Sequence, residues 1–86
     1  MYYFLSNNFE KQFKKLPKKI KNRTIEQLHV FIVDPMDYRL NNHPLTREWA
    51  GHRSIDITGD IRAIYKRVSE DVVRFTAIGS HSELYE

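Results

Sequence analysis

Three short stretches hold the side chains that can move protons or bind an anion: Asn42-His43-Pro44-Leu45, Asp60-Ile61-Arg62 and Gly79-Ser80-His81-Ser82-Glu83-Leu84-Tyr85. Histidine gains and loses a proton near neutral pH, so His43 and His81 suit acid or base work. Asp60 can accept a proton or orient a histidine, and the guanidinium of Arg62 can stabilise a charged phosphorane. Tyr85 adds an aromatic face and a hydroxyl. Such a set is suited to breaking a phosphodiester. The chain's net charge of +3 makes a nucleic-acid phosphate the natural substrate to suspect.

These groups must be positioned by a small domain. The 86 residues allow one domain, 1–86, with one modest core. Hydrophobic residues make up 41% and charged residues 29%, which is a globular composition and not a disordered one. There is no cysteine, so disulfides and thiolate metal sites are excluded. The histidines show neither H-x-H nor H-x-x-x-H spacing, and neither a metal nor another cofactor is expected. Met1-Tyr2-Tyr3-Phe4-Leu5-Ser6 lacks the basic and long apolar regions of a signal peptide, and no run is long enough to span a membrane. A soluble cytoplasmic protein is the expectation.

Tyr2 to Leu5 suits a strand. Ser6, Asn7 and Asn8 offer N-caps for a helix whose apolar stripe is Phe9, Phe13 and Leu16. Pro17 ends it and fits the start of a second helix to Val33, with Ile20, Ile25, Leu28, Phe31 and Ile32 as its apolar face. Asp34-Pro35 stops that helix, and residues 34–50 read as a long connection of the kind that is often functional. From Gly51 the period becomes two, with turns at Thr58-Gly59-Asp60 and Ser69-Glu70-Asp71 and strands over Ile61–Val68 and Val72–Ile78. The order is β-α-α-β-β-β, an α+β fold in which a helix hairpin packs on one face of an antiparallel sheet. Lys11, Lys14, Lys15 and Lys18 begin a cationic run that continues to Arg23 on the hairpin's exposed side. Such a run can attract RNA, meet an acidic protein partner, or simply solvate a helix face.

Taken in order, His43-Pro44-Leu45, Trp49-Ala50-Gly51-His52-Arg53, Asp60 through Tyr65-Lys66, Arg74-Phe75 and Gly79-Ser80-His81-Ser82-Glu83-Leu84-Tyr85 resemble the RelE/ParE superfamily of bacterial type II toxins. Within it, the chain is most similar to the YafQ-like mRNA interferases. The element order matches too, so the resemblance covers nearly the whole chain. It implies a ribosome-dependent endoribonuclease that enters the ribosomal A site and cleaves the mRNA codon there, silenced by a cognate antitoxin encoded beside it. Cleavage without metal uses the ribose 2′-OH as nucleophile, and it needs a base, an acid for the leaving 5′ oxygen, and cations on the phosphorane.

The resemblance makes His81 a central catalytic residue with the general acid as its leading role, where the other reading is a capping or surface histidine at the C-terminal edge; acid and base are not assigned among His43, Asp60 and His81 by sequence. It places His43 in the active site as base or phosphate ligand, where the other reading is a histidine that steadies the loop beside Pro44. It makes Asp60 a base or a group orienting a histidine, although the T-G-D context explains a turn aspartate as well. Arg62 stands where RelE-type members carry a phosphate-stabilising arginine that many YafQ-like members lack. Its alternative is an ion pair with an acid across the sheet. Tyr85 matches an aromatic that stacks on a base or bonds phosphate; otherwise it closes the core edge with Leu84. Two positions depart from the family pattern. Asp56 stands where a histidine is common, and its charge repels phosphate, so orienting His43 or His81 is the role left to it. Ile61 replaces an aromatic and removes a stacking platform. Trp49, Gly51 and Arg53 read as structural, Trp49 as a loop anchor and Arg53 as a strand-edge ion pair. His29 and His52 receive no role. The same fold also serves ParE-like gyrase inhibitors and inactive modules that only bind an antitoxin, but a pure binder has no need of His43, Asp60 and His81 together.

Overall fold

Ser6 opens the first helix. The computed structural model describes residues 1–85. Of the three expected caps it is Ser6 that acts, its Oγ accepting the Phe9 N–H at 3.0 Å. β1 (Tyr2–Leu5) precedes it, α1 runs Asn7–Lys14, and α2 runs Lys18–Val33 after an extended Pro17. Phe9, Leu28 and Phe31 pack on Ile55, Ile57, Ala63, Tyr65, Val73, Phe75 and Ile78, so the helix hairpin covers one face of the sheet. Aromatic edges dominate this core, with Phe31 and Phe75 ring centroids 5.3 Å apart and nearly perpendicular.

The apolar face of α2 is narrower than expected. Ile25 and Ile32 are 48% and 42% exposed, while Thr24 and Gln27 are buried in their place. The helical period explains this, since Ile20, Thr24, Gln27 and Phe31 share one stripe and Ile25 and Ile32 lie well round from it. Both of these polar side chains find partners. Thr24 Oγ1 donates to the Ile20 carbonyl at 2.8 Å, and Gln27 Nε2 donates to the carbonyls of Arg39 at 3.1 Å and Asp56 at 2.9 Å.

The sheet has five strands in the order β1-β5-β4-β3-β2. β2 (His43–Pro44), β3 (Arg53–Asp56), β4 (Ile61–Ser69) and β5 (Val72–Ser80) are antiparallel neighbours. β1 pairs with β5 in parallel, from Tyr2↔Val72 to Leu5↔Phe75, so the sheet is antiparallel except at that edge. The long connection is more ordered than its composition suggests. It holds 3-10 turns at Tyr38–Leu40 and Arg47–Trp49 besides β2. Asp37 caps the first turn and grips Arg39 through two bonds of 2.9 Å; these bonds, with the Arg39 charge, hold its carboxyl at about 2.

The other face of the sheet is partly open. At one end it is closed by an unexpected short helix, α3 (His81–Tyr85). There Ile64, Ala77 and Leu84 form a second small core beneath Leu45, Trp49 and Tyr85.

Candidate active site

His43 is set by the backbone around it. Asn41 adopts a left-handed conformation with φ of 48°, and its carbonyl lies 2.8 Å from His43 Nδ1. A carbonyl can only accept, so Nδ1 is the donor and Nε2 is the ring nitrogen left for other partners. Asn42 clamps the segment from below. Its Nδ2 donates to the Pro35 carbonyl at 2.8 Å and to Tyr65 Oη at 2.7 Å, and its Oδ1 accepts Arg53 Nε–H at 2.8 Å. Arg53 therefore serves the loop through a hydrogen bond and makes no ion pair among the described contacts.

His81 is set by α3, which a capping box starts. Ser80 Oγ accepts the Glu83 N–H at 3.2 Å, and Glu83 Oε1 accepts the Ser80 N–H at 2.7 Å. The Ser80 backbone N–H, and then its hydroxyl, hold the Glu83 carboxyl below the usual range, with a smaller pull from the Lys15 charge. His81 and Tyr85 then fall one turn apart on the same side, with ring centroids 4.6 Å apart. Trp49 secures the far end, its Nε1–H donating to the Leu84 carbonyl at 2.9 Å. It thus anchors the loop, as expected, by tying it to α3. Gly79 lets α3 sit close, since a Cβ there would lie 3.2 Å from Glu83 Oε1 and press on that carboxylate.

Arg62 comes from β4, directly across from Asp56 of β3. Its Nε is 3.0 Å from Asp56 Oδ1, which is the cross-sheet ion pair the sequence allowed. Its Nη1 donates to the carbonyls of Thr58 at 3.2 Å and Gly59 at 2.9 Å. Asp56 thus faces an arginine and, at 3.4 Å, Asn41 Nδ2; the described contacts include no bond from it to either histidine.

These pieces meet in one cleft of about 330 Å³, lined by His43, Pro44, Leu45, Thr46, Arg62, His81 and Tyr85. That volume is at the lower end for a small-ligand pocket and is compatible with a few atoms around one phosphate. Two histidines, a guanidinium and a phenol thus face one space, where protons can be taken and given beside a held anion.

Asp60 is not in that wall. It precedes β4, in the turn before the strand that carries Arg62. Its side chain is exposed in the turn, while its carbonyl accepts the His81 N–H at 3.1 Å and so ties the turn to α3. Lys11, Lys14, Lys15 and Lys18 are exposed on α1, α2 and the link between them, and none lines the cleft. Lys15 comes nearest, bordering a hollow behind α3 with Gln12 and Glu83. His29 is exposed on α2, and His52 meets the Trp49 ring edge-on at 5.2 Å, away from the cleft wall. Among the described residues no three His, Asp or Glu side chains group as metal ligands, and no helix is long and apolar enough to cross a membrane.

Sequence reasoning missed α3, although Ser80-x-x-Glu83 is a capping-box pattern and spells it out. It also missed Asn42 and Gln27, whose roles depend on which distant carbonyls come within reach and leave no local pattern.

The arrangement has known counterparts. None of the curated proteins matches the sequence. Among solved structures, the crystal structure of YafQ from E. coli strain BL21(DE3) is 26% identical with a TM-score of 0.81, covering 98% of this chain and 97% of that one. A conserved hypothetical protein from Helicobacter pylori, solved in solution, is 27% identical with a TM-score of 0.75 and 99% coverage of both chains. The E. coli DinJ–YafQ toxin–antitoxin complex is 25% identical with a TM-score of 0.74, covering 98% of this chain and 96% of that one. The family described as bacterial toxin of type II toxin–antitoxin system, YafQ, matches residues 2–86. The fold, the sheet order and this match agree, and the chain belongs to the YafQ family of type II toxins.

Proposed function

We propose that this toxin is a ribosome-dependent endoribonuclease that cleaves mRNA in the ribosomal A site. The observation that carries the reading is the convergence of His43, Arg62, His81 and Tyr85 on one cleft. The 2′-OH of the ribose gives its proton to His43 Nε2, the face left free by the Nδ1 bond to Asn41. The 2′ oxygen forms a bond to phosphorus, and Arg62 stabilises the charge on the phosphorane. His81 protonates the 5′ oxygen as the P–O5′ bond breaks, leaving a 2′,3′-cyclic phosphate and a 5′-OH. Tyr85 packs on the His81 ring and offers an aromatic face to a base. Two histidines supply both proton roles, so the chemistry calls for no metal and no cofactor.

The partners that follow are the ribosome with its mRNA, reached in the cytoplasm, and a cognate antitoxin. The antitoxin is supported by the DinJ–YafQ complex. The exposed cations of the helix hairpin suit either an acidic partner or ribosomal RNA.

The test is His81→Ala with purified ribosomes and a defined mRNA. Loss of an acid predicts a fall in cleavage of about 100-fold or more with an unchanged far-UV spectrum. Full cleavage by this variant would sink the acid role. Supercoiling by purified gyrase, run in parallel, should proceed unhindered.

A further inference from the structure

We propose that Asp56 is a positioning residue that aims Arg62 and, together with the Thr58 and Gly59 carbonyls, leaves it one free nitrogen, Nη2, for the phosphate. This rests on the nuclease reading above. The β3–β4 register sets the two residues opposite each other, and both side chains are largely withdrawn from water, 19% exposed for Arg62 and 26% for Asp56. Asp56 Oδ1 is buried and lies 3.0 Å from Arg62 Nε, yet accepts no aligned hydrogen bond, so the attraction between them is chiefly one of charge. Nη1 is committed to the Thr58 and Gly59 carbonyls. Only Nη2 has no described partner, and Arg62 lines the cleft while Asp56 does not.

Arginine ordinarily grips an oxyanion through two parallel N–H bonds from neighbouring nitrogens. Here both paired edges of the guanidinium include a nitrogen already engaged by the protein. The fixed carboxylate also offsets part of the cation's attraction for RNA. Two consequences follow, with opposite signs. Ground-state phosphate binding is weakened, because a negative charge stands behind the guanidinium. Turnover is favoured, because the planar group is held in its working orientation before substrate arrives. Asp56 thus tunes binding against rate.

The test combines kinetics with a spectroscopic signature. Asp56→Ala is expected to lower KM about threefold and kcat about tenfold in the ribosome assay, the split that marks a lost orienting contact. Asp56→Asn removes the charge that carries the attraction, so it should match Asp56→Ala in both kcat and KM. In an Arg62→Gln background neither substitution should matter. Independently, the side-chain 15N resonance of Arg62 Nε should be sharp in the wild type and broadened in Asp56→Ala. A wild type that cleaves nothing overturns the nuclease reading, and the Nε resonance then decides the positioning by itself. An unchanged Nε resonance in Asp56→Ala, or an equal loss of rate in the Arg62→Gln background, overturns the proposal and reduces Asp56 to a staple between strands.

Discussion

His43 and His81 are held in different ways, and the difference bears on their division of labour. His43 is fixed through its own ring, by the Asn41 carbonyl on Nδ1. His81 is fixed through its backbone, by the Asp60 carbonyl and the first turn of α3, and its ring rests on Tyr85. A ring with one nitrogen pinned as a donor is a prepared acceptor at the other, which favours the base role for His43. Asp60 belongs to this comparison because its backbone, and not its carboxylate, touches the site. Asp60→Asn is therefore expected to change the cleavage rate by no more than about threefold, well short of the loss of an acid or base. A loss of about 100-fold in the same ribosome assay would return the carboxylate to the proton chemistry. Position 60 was readable as important from sequence, but the atom that matters was not. The pairing of Arg62 with Asp56 was readable only as one of two choices, since a two-residue period fixes faces and leaves open which group wins a contested cation.

At the scale of elements, the site depends on α3, the shortest helix and the one least evident in a hydrophobic pattern. Its stability is tied to Glu83. The bonds from Ser80 hold that carboxyl below its ordinary value, so the charged form is the one the fold favours. The contribution is complete above the unfolded-chain value of about 4.3 and is lost as pH falls through the lower folded value. Acidification through that window should loosen α3 and separate the His81 and Tyr85 rings, seen as a loss of their cross-peaks in NMR. Glu83→Ala at neutral pH should produce the same loosening and lower cleavage about threefold to tenfold. Retained ring contacts in both experiments would remove the capping box from the mechanism. The helix hairpin and the strands β3, β4 and β5 were legible because repeating apolar spacing announces them. The parallel seat of β1 on β5 was not, because no period in a strand records the direction of its neighbour. Ile25 and Ile32 were misplaced for a related reason: hydrophobicity suggested the core, while Gln27 won the stripe by reaching two backbone carbonyls.

On the scale of the whole molecule, charge and chemistry occupy different layers. The cleft opens on the sheet face away from the helix hairpin, and Lys11, Lys14, Lys15 and Lys18 lie with the hairpin. Their expected effect is on encounter with a polyanion and not on the bond-breaking step. Replacing all four by Gln should raise KM about tenfold and flatten its dependence on KCl, with kcat unchanged. A fall in kcat of similar size would mean that the hairpin reaches the reacting codon. One further consequence comes from the joint between these layers. Trp49 is the only tryptophan, and its indole N–H is bonded to the Leu84 carbonyl beside the imidazole of His52. Indole emission responds to such neighbours, so the molecule carries a single indole reporter where the loop meets α3. Its colour and intensity report whether loop and α3 are joined, while circular dichroism, dominated by the two long helices, reports on the scaffold alone.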